Sequence, residues 1–475
     1  MKIRFFILEV LIFAGALLIF SQKAEAQSKV MKLSLNDCLR IGLANNPQIK
    51  MAEAKVESAR GKLISARSYL IPQIKASGLY THANNLPEFK ISGMNMIPTS
   101  FPVANESGTP LPPTHIHLIP FPDFEMSSTR EGDIYSFKIE LVYPIFTGGR
   151  TTQGYKASKL ELEASELELK QKKLEVSYQI QQAFYQVLLA QEMVKAIDQS
   201  WEVMQEHYQQ VRELYRQGYV SNLDLLQVEA KLSSIKPRQI QAHNGLNLAK
   251  LALKNILNLD PGTEIEVIGK LEYVPKEIPE LNELIKEALL NNPQLKSLEI
   301  RKQQAETLIK ISRAGYFPTI ALFANYQWNR GQEMPPNEDI WREGWQAGVN
   351  ASLNLFDGLK TYGDVKSARS QLEQVMWGER ALRSGIETQV TASYLKLISA
   401  QRAVEAQKVN VEASERNFQV AQARYREGYV NHLDVLDAEM NLTQAKIAYL
   451  QAVNDWLISW AELEKVIGKL EVEEK

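Results

Sequence analysis

The chain has a single cysteine, Cys38, in 475 residues, so no disulfide forms within it. Cys38 sits among Leu35, Leu39 and Leu43 at helical spacing, which suits a small buried hydrophobe. Charge of either sign in excess is also lacking. The formal net charge is −2, which gives no basic surface for nucleic acid and no acidic tail. Beyond residue 26 no run of 18 apolar residues occurs, and this excludes a membrane-spanning helix. It does not exclude a membrane β-barrel, whose strands are short and only half apolar. Catalytic signatures are missing too. The histidines are scattered (His82, His115, His117, His207, His243, His432), and none belongs to a His-Glu-x-x-His pattern. His115 and His117 offer two ligands from one loop without an evident third. Thr147-Gly148-Gly149-Arg150 lacks the Gly-Lys-Ser/Thr ending of a phosphate loop. These residues therefore predict no enzyme, no cofactor and no metal.

The first 26 residues differ from the rest. Lys2 and Arg4 precede an apolar run from Phe5 to Phe20, interrupted by Glu9, and Ala24-Glu25-Ala26 ends it. A charged start, an apolar middle and a small-x-small ending predict a secretory signal peptide over 1–26.

The remainder is one unit written twice. Asn45-Asn46-Pro47-Gln48 returns as Asn291-Asn292-Pro293-Gln294, and Arg67 and Pro72 return as Arg313 and Pro318, all at an offset of 246. Phe146 and Gly148 then return as Phe356 and Gly358 at an offset of 210. Tyr215-Arg216-Gln217-Gly218-Tyr219-Val220 returns as Tyr425-Arg426-Glu427-Gly428-Tyr429-Val430 at the same 210. The first copy thus carries 36 extra residues between Tyr80 and Tyr135. Two structurally equivalent repeats follow, 27–270 and 271–475.

Each repeat opens with a short helix, Asn-Asn-Pro, and a helix of about 23 residues stopped by Pro72 or Pro318. Period-two alternation then predicts strands at about 73–81 and 135–143, and at about 319–328 and 345–355. Tyr135, Phe137, Ile139, Leu141 and Tyr143 alternate with Ser136, Lys138 and Glu140; Trp345, Ala347, Val349 and Ala351 alternate with Gln346, Gly348 and Asn350. Runs of this length suit tilted membrane strands, with Tyr80, Tyr135, Tyr143, Trp328 and Trp345 near their ends as interfacial aromatics. The connection over about 81–134 is rich in Pro, Asn, Ser and Gly, and the one over about 329–343 is shorter.

A long helical hairpin ends each repeat, at about 150–257 and 360–467. From Arg150 to Arg216 there is no proline, and Gly154 is the only glycine. Val176, Ile180, Ala183, Val187, Ala190, Val194, Ile197, Trp201, Met204, Tyr208, Val211 and Tyr215 recur at alternating spacings of four and three, the seam of a coiled coil. The second copy keeps Ile386, Val390, Leu397, Ala400, Val404, Val411, Phe418, Ala421 and Tyr425, weakened by Ser393, Gln407 and Ser414. At 1.5 Å per residue such a helix is roughly 100 Å long. Gly218 and Gly428 end these helices, Asn222 and Asn431 are placed to start the return helices, and Pro237 is placed to kink the first. The fold class is mainly α: coiled-coil hairpins plus four β-strands per protomer.

Four strands cannot close a barrel, and open strand edges are forbidden in lipid. If the strands span a membrane, chains must combine cyclically, two giving eight strands and three giving twelve.

Over essentially its whole length past the leader, the sequence resembles the TolC-like outer-membrane efflux proteins. The resemblance is carried by Leu35-x-x-Cys38-Leu39 with Ala44-Asn45-Asn46-Pro47, and by Tyr69-Leu70-Ile71-Pro72 and Tyr316-Phe317-Pro318. Tyr143-Pro144-Ile145-Phe146-Thr147-Gly148-Gly149-Arg150, Leu353-Asn354-Leu355-Phe356-Asp357-Gly358 and the two Tyr-Arg-x-Gly-Tyr-Val motifs complete it. Their order and duplication are more specific than any one of them. The resemblance implies a homotrimer closing a twelve-stranded outer-membrane barrel on a periplasmic α-barrel. It implies a duct for tripartite efflux or type I secretion, docked to a periplasmic adaptor (membrane fusion) protein and an inner-membrane RND or ABC transporter. It implies a periplasmic constriction at Asp224, Tyr425, Asp434 and Asp437, where a ring of like charge selects cations. It also implies adaptor contacts at Gly218, Tyr219, Val220, Gly428, Tyr429 and Val430. Val430 stands where some relatives carry a gating arginine, so a latch built on that arginine does not carry over. Asp224 and Asp434 also read as helix N-terminal carboxylates favoured by the dipole. A periplasmic coiled-coil scaffold or adaptor with a soluble β-domain is the rival expectation from the heptads.

Overall fold

The computed structural model describes residues 30–84, 132–330 and 340–469. The expected signal peptide, His115 and His117, and most of both strand connections lie outside the described residues. In chain order the elements are β1 (Met31–Leu33), α1 (Leu35–Asn45), α2 (Pro47–Ser68), β2 (Gln73–Ala83), β3 (Gly132–Phe146), α3 (Arg150–Arg216) and α4 (Asn222–Ile256). The second repeat continues with β4 (Ile265–Val267), α5 (Leu281–Asn291), α6 (Pro293–Arg313), β5 (Thr319–Arg330), β6 (Arg342–Ser352), α7 (Lys360–Arg426) and α8 (His432–Ile467). A single 3₁₀ turn, Ala314–Tyr316, follows α6. The described residues divide into two compact units, one of residues 30–64, 153–312 and 362–469 and one of residues 65–84, 132–152, 313–330 and 340–361.

The smaller unit is a four-stranded antiparallel sheet ordered β2-β3-β5-β6, in which β3 and β5 join the two repeats. Its register stacks Ala76, Ile139, Tyr326 and Trp345 across one face, and Lys75, Glu140, Asn325 and Gln346 across the other. The burial is inverted relative to a soluble sheet. Ile74, Phe137, Ile139, Val349 and Trp345 are exposed, Trp345 at 75%. The opposite face is polar and internally paired: Lys138 meets Glu140 at 3.0 Å, and Ser136 donates to Asn329 at 2.7 Å. Ring contacts of Tyr80 with Tyr135 and of Phe137 with Trp328 run along the apolar face. Period two fixes this segregation, because successive side chains point to opposite faces. The outer strands β2 and β6 each keep one edge unpaired among the described residues.

The larger unit is helical. Both long helices, α3 and α7, contain 67 residues. On α3 the seam positions Val176, Ile180, Ala183, Val187, Ala190, Val194, Ile197, Met204 and Val211 are buried; Trp201 and Tyr208 are half-buried and Tyr215 is exposed. Three apolar clusters result. One joins Cys38, Leu39 and Ile49 to Val176, Ile180, Phe184, Leu253 and Leu257. Its counterpart joins Leu284, Ala288 and Leu295 to Val390, Leu397, Val453 and Trp456. The third holds the far end of α3 and α4 through Met204, Val211, Val228 and Ile235, with Leu436 of α8. Glu168 on α3 receives Lys55 from α2 at 2.5 Å and Arg301 from α6, tying the repeats together.

Two features depart from the sequence reading. β1 and β4 form a two-stranded parallel sheet that pairs Met31–Leu33 with Ile265–Val267. Three-residue strands are too short to show a period. Asn222 is not the cap of α4; Ser221 is, because its extended backbone (φ −80°, ψ 162°) lets its hydroxyl accept the Asp224 N–H. Pro237 lies inside α4, which runs through it to Ile256 although the proline supplies no N–H to the turn before it.

Candidate functional site

The two hairpin tips are built alike from local chemistry. Each long helix ends in a Schellman turn: Gly218 N–H reaches the Tyr215 carbonyl at 3.0 Å and Tyr219 N–H the Leu214 carbonyl at 2.9 Å. Gly428 and Tyr429 make the same bonds to Tyr425 and Arg424. Both glycines have φ of +79°, where a Cβ is disfavoured. Each return helix then begins with a capping box. The Ser221 hydroxyl accepts from Asp224 N–H at 3.2 Å, and the Asp224 carboxylate accepts from Ser221 N–H at 2.9 Å. In the second tip the Asn431 side chain accepts from Asp434 N–H at 3.0 Å and Asp434 accepts from Asn431 N–H at 3.1 Å. Asp224 and Asp434 thus close their own helix starts, the local role a helix N-terminus favours.

The remaining predicted residues divide by exposure. Tyr219 and Tyr429 are 76% and 78% exposed, whereas Val220 and Val430 are half-buried, Val220 against the third cluster. Asp437 is exposed and pairs with Lys231 of α4 at 3.0 Å, a tie between the two return helices. Tyr425 is half-buried, its ring edge-on to His207 of α3 at 5.6 Å. Burial raises the Tyr425 hydroxyl above its ordinary range, helped by the nearby Asp224 carboxylate.

The structure gathers residues that the sequence reading left scattered. His432, the first residue of α8, points Nδ1 at the Asp224 carboxylate, 3.8 Å away, and its ring lies 6.4 Å from that of His207. Tyr425, His207, Asp224 and His432 therefore bring α7, α3, α4 and α8 together. Burial, and secondly His432, push the His207 imidazole down to about 4. Asp224 is held below its ordinary range, first by the Ser221 hydroxyl and then by the Ser221 N–H. Beside them Glu439 of α8 is buried and accepts from Ser200 of α3 at 3.0 Å. Sequence position held one signal for this grouping: His207 adjoins the seam between Met204 and Tyr208. Among the described residues no group of three or more His, Cys, Asp or Glu is arranged to hold a metal.

The family model "Outer membrane efflux protein" matches residues 39–259 and 284–469, one segment in each repeat and most of the chain. The chain belongs to the outer membrane efflux protein family. That membership places it at the cell outer membrane. Among curated members, the Escherichia coli outer membrane protein TolC is 24% identical over 275 residues, covering 55% of each chain. Nodulation protein T of Rhizobium leguminosarum bv. trifolii is 24% identical over 264 residues, 54% of each. The aligned stretch thus spans about half the length of these relatives. The fold likeness is longer. The Campylobacter jejuni CmeC outer membrane channel superposes with a TM-score of 0.72 at 20% identity, covering 93% of this chain and 87% of that one. The Vibrio cholerae outer membrane protein VceC gives 0.69 at 18% identity, covering 92% and 96%. These likenesses show that this member of the efflux family has the fold of its channels: long helical hairpins with few strands.

Proposed function

We propose that three copies of this chain close a twelve-stranded barrel in the outer membrane, continued by a periplasmic helical barrel. The assembly is the passive duct of a tripartite efflux or type I secretion system and carries out no enzyme chemistry. The observation that carries the reading is the inverted sheet, with its apolar face outward, its polar face internally paired and its two outer edges open. Open edges in lipid cost several kcal/mol per unpaired group, so the edges must find other copies. Exposed apolar side chains on the helices, Ile240 and Leu248 of α4 and Val409 and Val420 of α7, are further surface for the same closure. A periplasmic scaffold would instead leave Trp345, Phe137 and Val349 in water. In this reading 1–26 is a leader, and 27–270 and 271–475 are the two pseudo-symmetric repeats.

The tips form the periplasmic end. Asp224, Tyr425, Asp434 and Asp437 constitute the constriction, with Lys231–Asp437 and His432–Asp224 as ties that hold the hairpins together. Gly218, Tyr219, Val220, Gly428, Tyr429 and Val430 face a periplasmic adaptor, which links the duct to an inner-membrane RND or ABC transporter. Protein extracted from outer membranes in mild detergent should have the mass of a trimer and conduct weakly and cation-selectively in planar bilayers. Removing the charge of Asp434 and Asp437 together should raise conductance. A water-soluble monomer or dimer without conductance would refute the duct.

A further inference from the structure

Two buried imidazoles at the tips lack a partner on the same atom. His207 and His432 are 8% and 6% exposed, and Nε2 of each is buried without a hydrogen-bond partner. They come from the two different hairpins, α3 and α8, and their rings are inclined by only 29° at 6.4 Å. An unpaired buried polar atom is costly and calls for an explanation by function. At the equivalent positions, 210 residues away, the chain has Asn417 and Asn222, so the pair is built once, across the seam between the repeats.

We propose that the His207–His432 pair makes the packing of the two hairpin tips sensitive to pH, loosening it as the surroundings acidify. The proposal rests on the reading of the tips as a gate and adds its regulation. Burial of His207, with Nε2 unpaired, sets this direction against the pull of Asp224 on His432. His432 Nδ1 lies 3.8 Å from the Asp224 carboxylate of α4, a contact that acid does not weaken, so the loosening rests on His207. His207 meets on α7 the ring edge of Tyr425, which is neutral across this range, and on α8 the His432 ring, which repels a second positive charge. Glu206 and Glu439 line a small cavity of about 60 Å³ beside His207. Burial raises the Glu439 carboxyl, so it takes up a proton early as pH falls and is a poor counter-ion there.

The sign follows from linkage. A histidine held at about 4 when packed and at its ordinary 6.5 when released imposes no penalty on packing above pH 6.5 and a growing one below it. At pH 5 the released state gains by a factor on the order of thirty per protomer.

The test is hydrogen exchange of the full chain in detergent at pH 7.5 and pH 5, scaled for the intrinsic pH dependence of exchange. Peptides over 204–216 and 430–440 should lose protection at pH 5, and those over 176–190 should not. In His207→Phe and in His207→Leu, which cannot titrate, the loss should vanish. Equal protection of the natural chain at both pH values overturns the proposal without any variant, as does an undiminished loss in both substitutions. Planar-bilayer conductance of the same preparations separates the two readings. Acid-loosened tips without a pore refute the duct and leave the switch. A pore whose tips exchange alike at both pH values refutes the switch and leaves the duct.

Discussion

The two hairpin tips share a backbone and differ in what they pack against. Both have a Schellman turn on glycine at φ +79° and a four-residue capping box, after helices of 67 residues. Yet Ile197, Met204 and Val211 of α3 are buried, whereas Gln407, Ser414 and Ala421, 210 residues later on α7, are only partly so. The third cluster accordingly belongs to α3 and α4, with α8 contributing Leu436. Local turn chemistry reproduces a shape wherever the motif recurs. The size of the seam side chains decides which copy builds a core there. Polar chemistry is not repeated either: His207, Lys231 and His432 correspond by position to Asn417, Asn441 and Asn222 in the other copy.

The sharpest way to break this comparison is to empty the core of one tip. Met204→Ala should cost about 2–5 kcal/mol, as deletion of a fully buried side chain does, while Ser414→Ala should stay within about 0.5 kcal/mol. Thermal unfolding in detergent, with exchange over 200–215 as the local probe, measures both. Equal effects would mean that the seam asymmetry is lost in the assembly. Next in size are the turns. Gly218→Ala and Gly428→Ala should each cost about 1–2 kcal/mol, because a Cβ is strained at this φ. Nothing lies within 4 Å of an added Cβ at either position, so the two costs should match. Unequal melting shifts would show that tertiary packing enters the turns.

The fold was legible where a pattern is long and locally determined. The α3 seam runs through twelve seam residues, and Gly218 and Gly428 mark the tips because only a positive φ closes that turn. The four long strands announced themselves by alternation, but which face is buried depends on the surrounding medium, and alternation carries no such information. β1 and β4 were hidden by their length, and Ser221 by an equally good cap residue beside it at Asn222. At the tips the acidic residues stood out by position. Their partners His432, His207 and Lys231 did not, since Asp224–His432 and Lys231–Asp437 are each contacts across more than two hundred residues.

The caps should test smaller than the turns. Ser221→Ala and Asn431→Ala should each cost about 1 kcal/mol, the loss of one side-chain acceptor at a helix start. Exchange of the first turn of α4 and of α8 reads each separately. Asp224 adds a pH dependence to the first. Its carboxyl is depressed by the Ser221 bonds, so the stabilisation is present above the ordinary carboxylate range and is lost as pH falls through the lowered value. Ser221→Ala should therefore matter least in strong acid.

The smallest effect sharpens the contrast most. Glu439 is buried and accepts hydroxyl hydrogen bonds from Ser200 at 3.0 Å and Thr443 at 3.1 Å, whereas its equivalent Glu229 is exposed. Burial raises the Glu439 carboxyl above its ordinary range, so the neutral form favours packing. That contribution is fully present below the ordinary range and is lost as pH rises through the raised value. Glu439→Gln keeps an acceptor for both hydroxyls and cannot ionise. It should raise the melting temperature at pH 8 and leave it unchanged at pH 4, and Glu229→Gln should change neither. A fall at pH 8 for Glu439→Gln would instead mean that the ionised carboxylate is held there by Lys446, the cation that most directly lowers it. The buried acid would then tie α8 to itself rather than weaken its packing on α3.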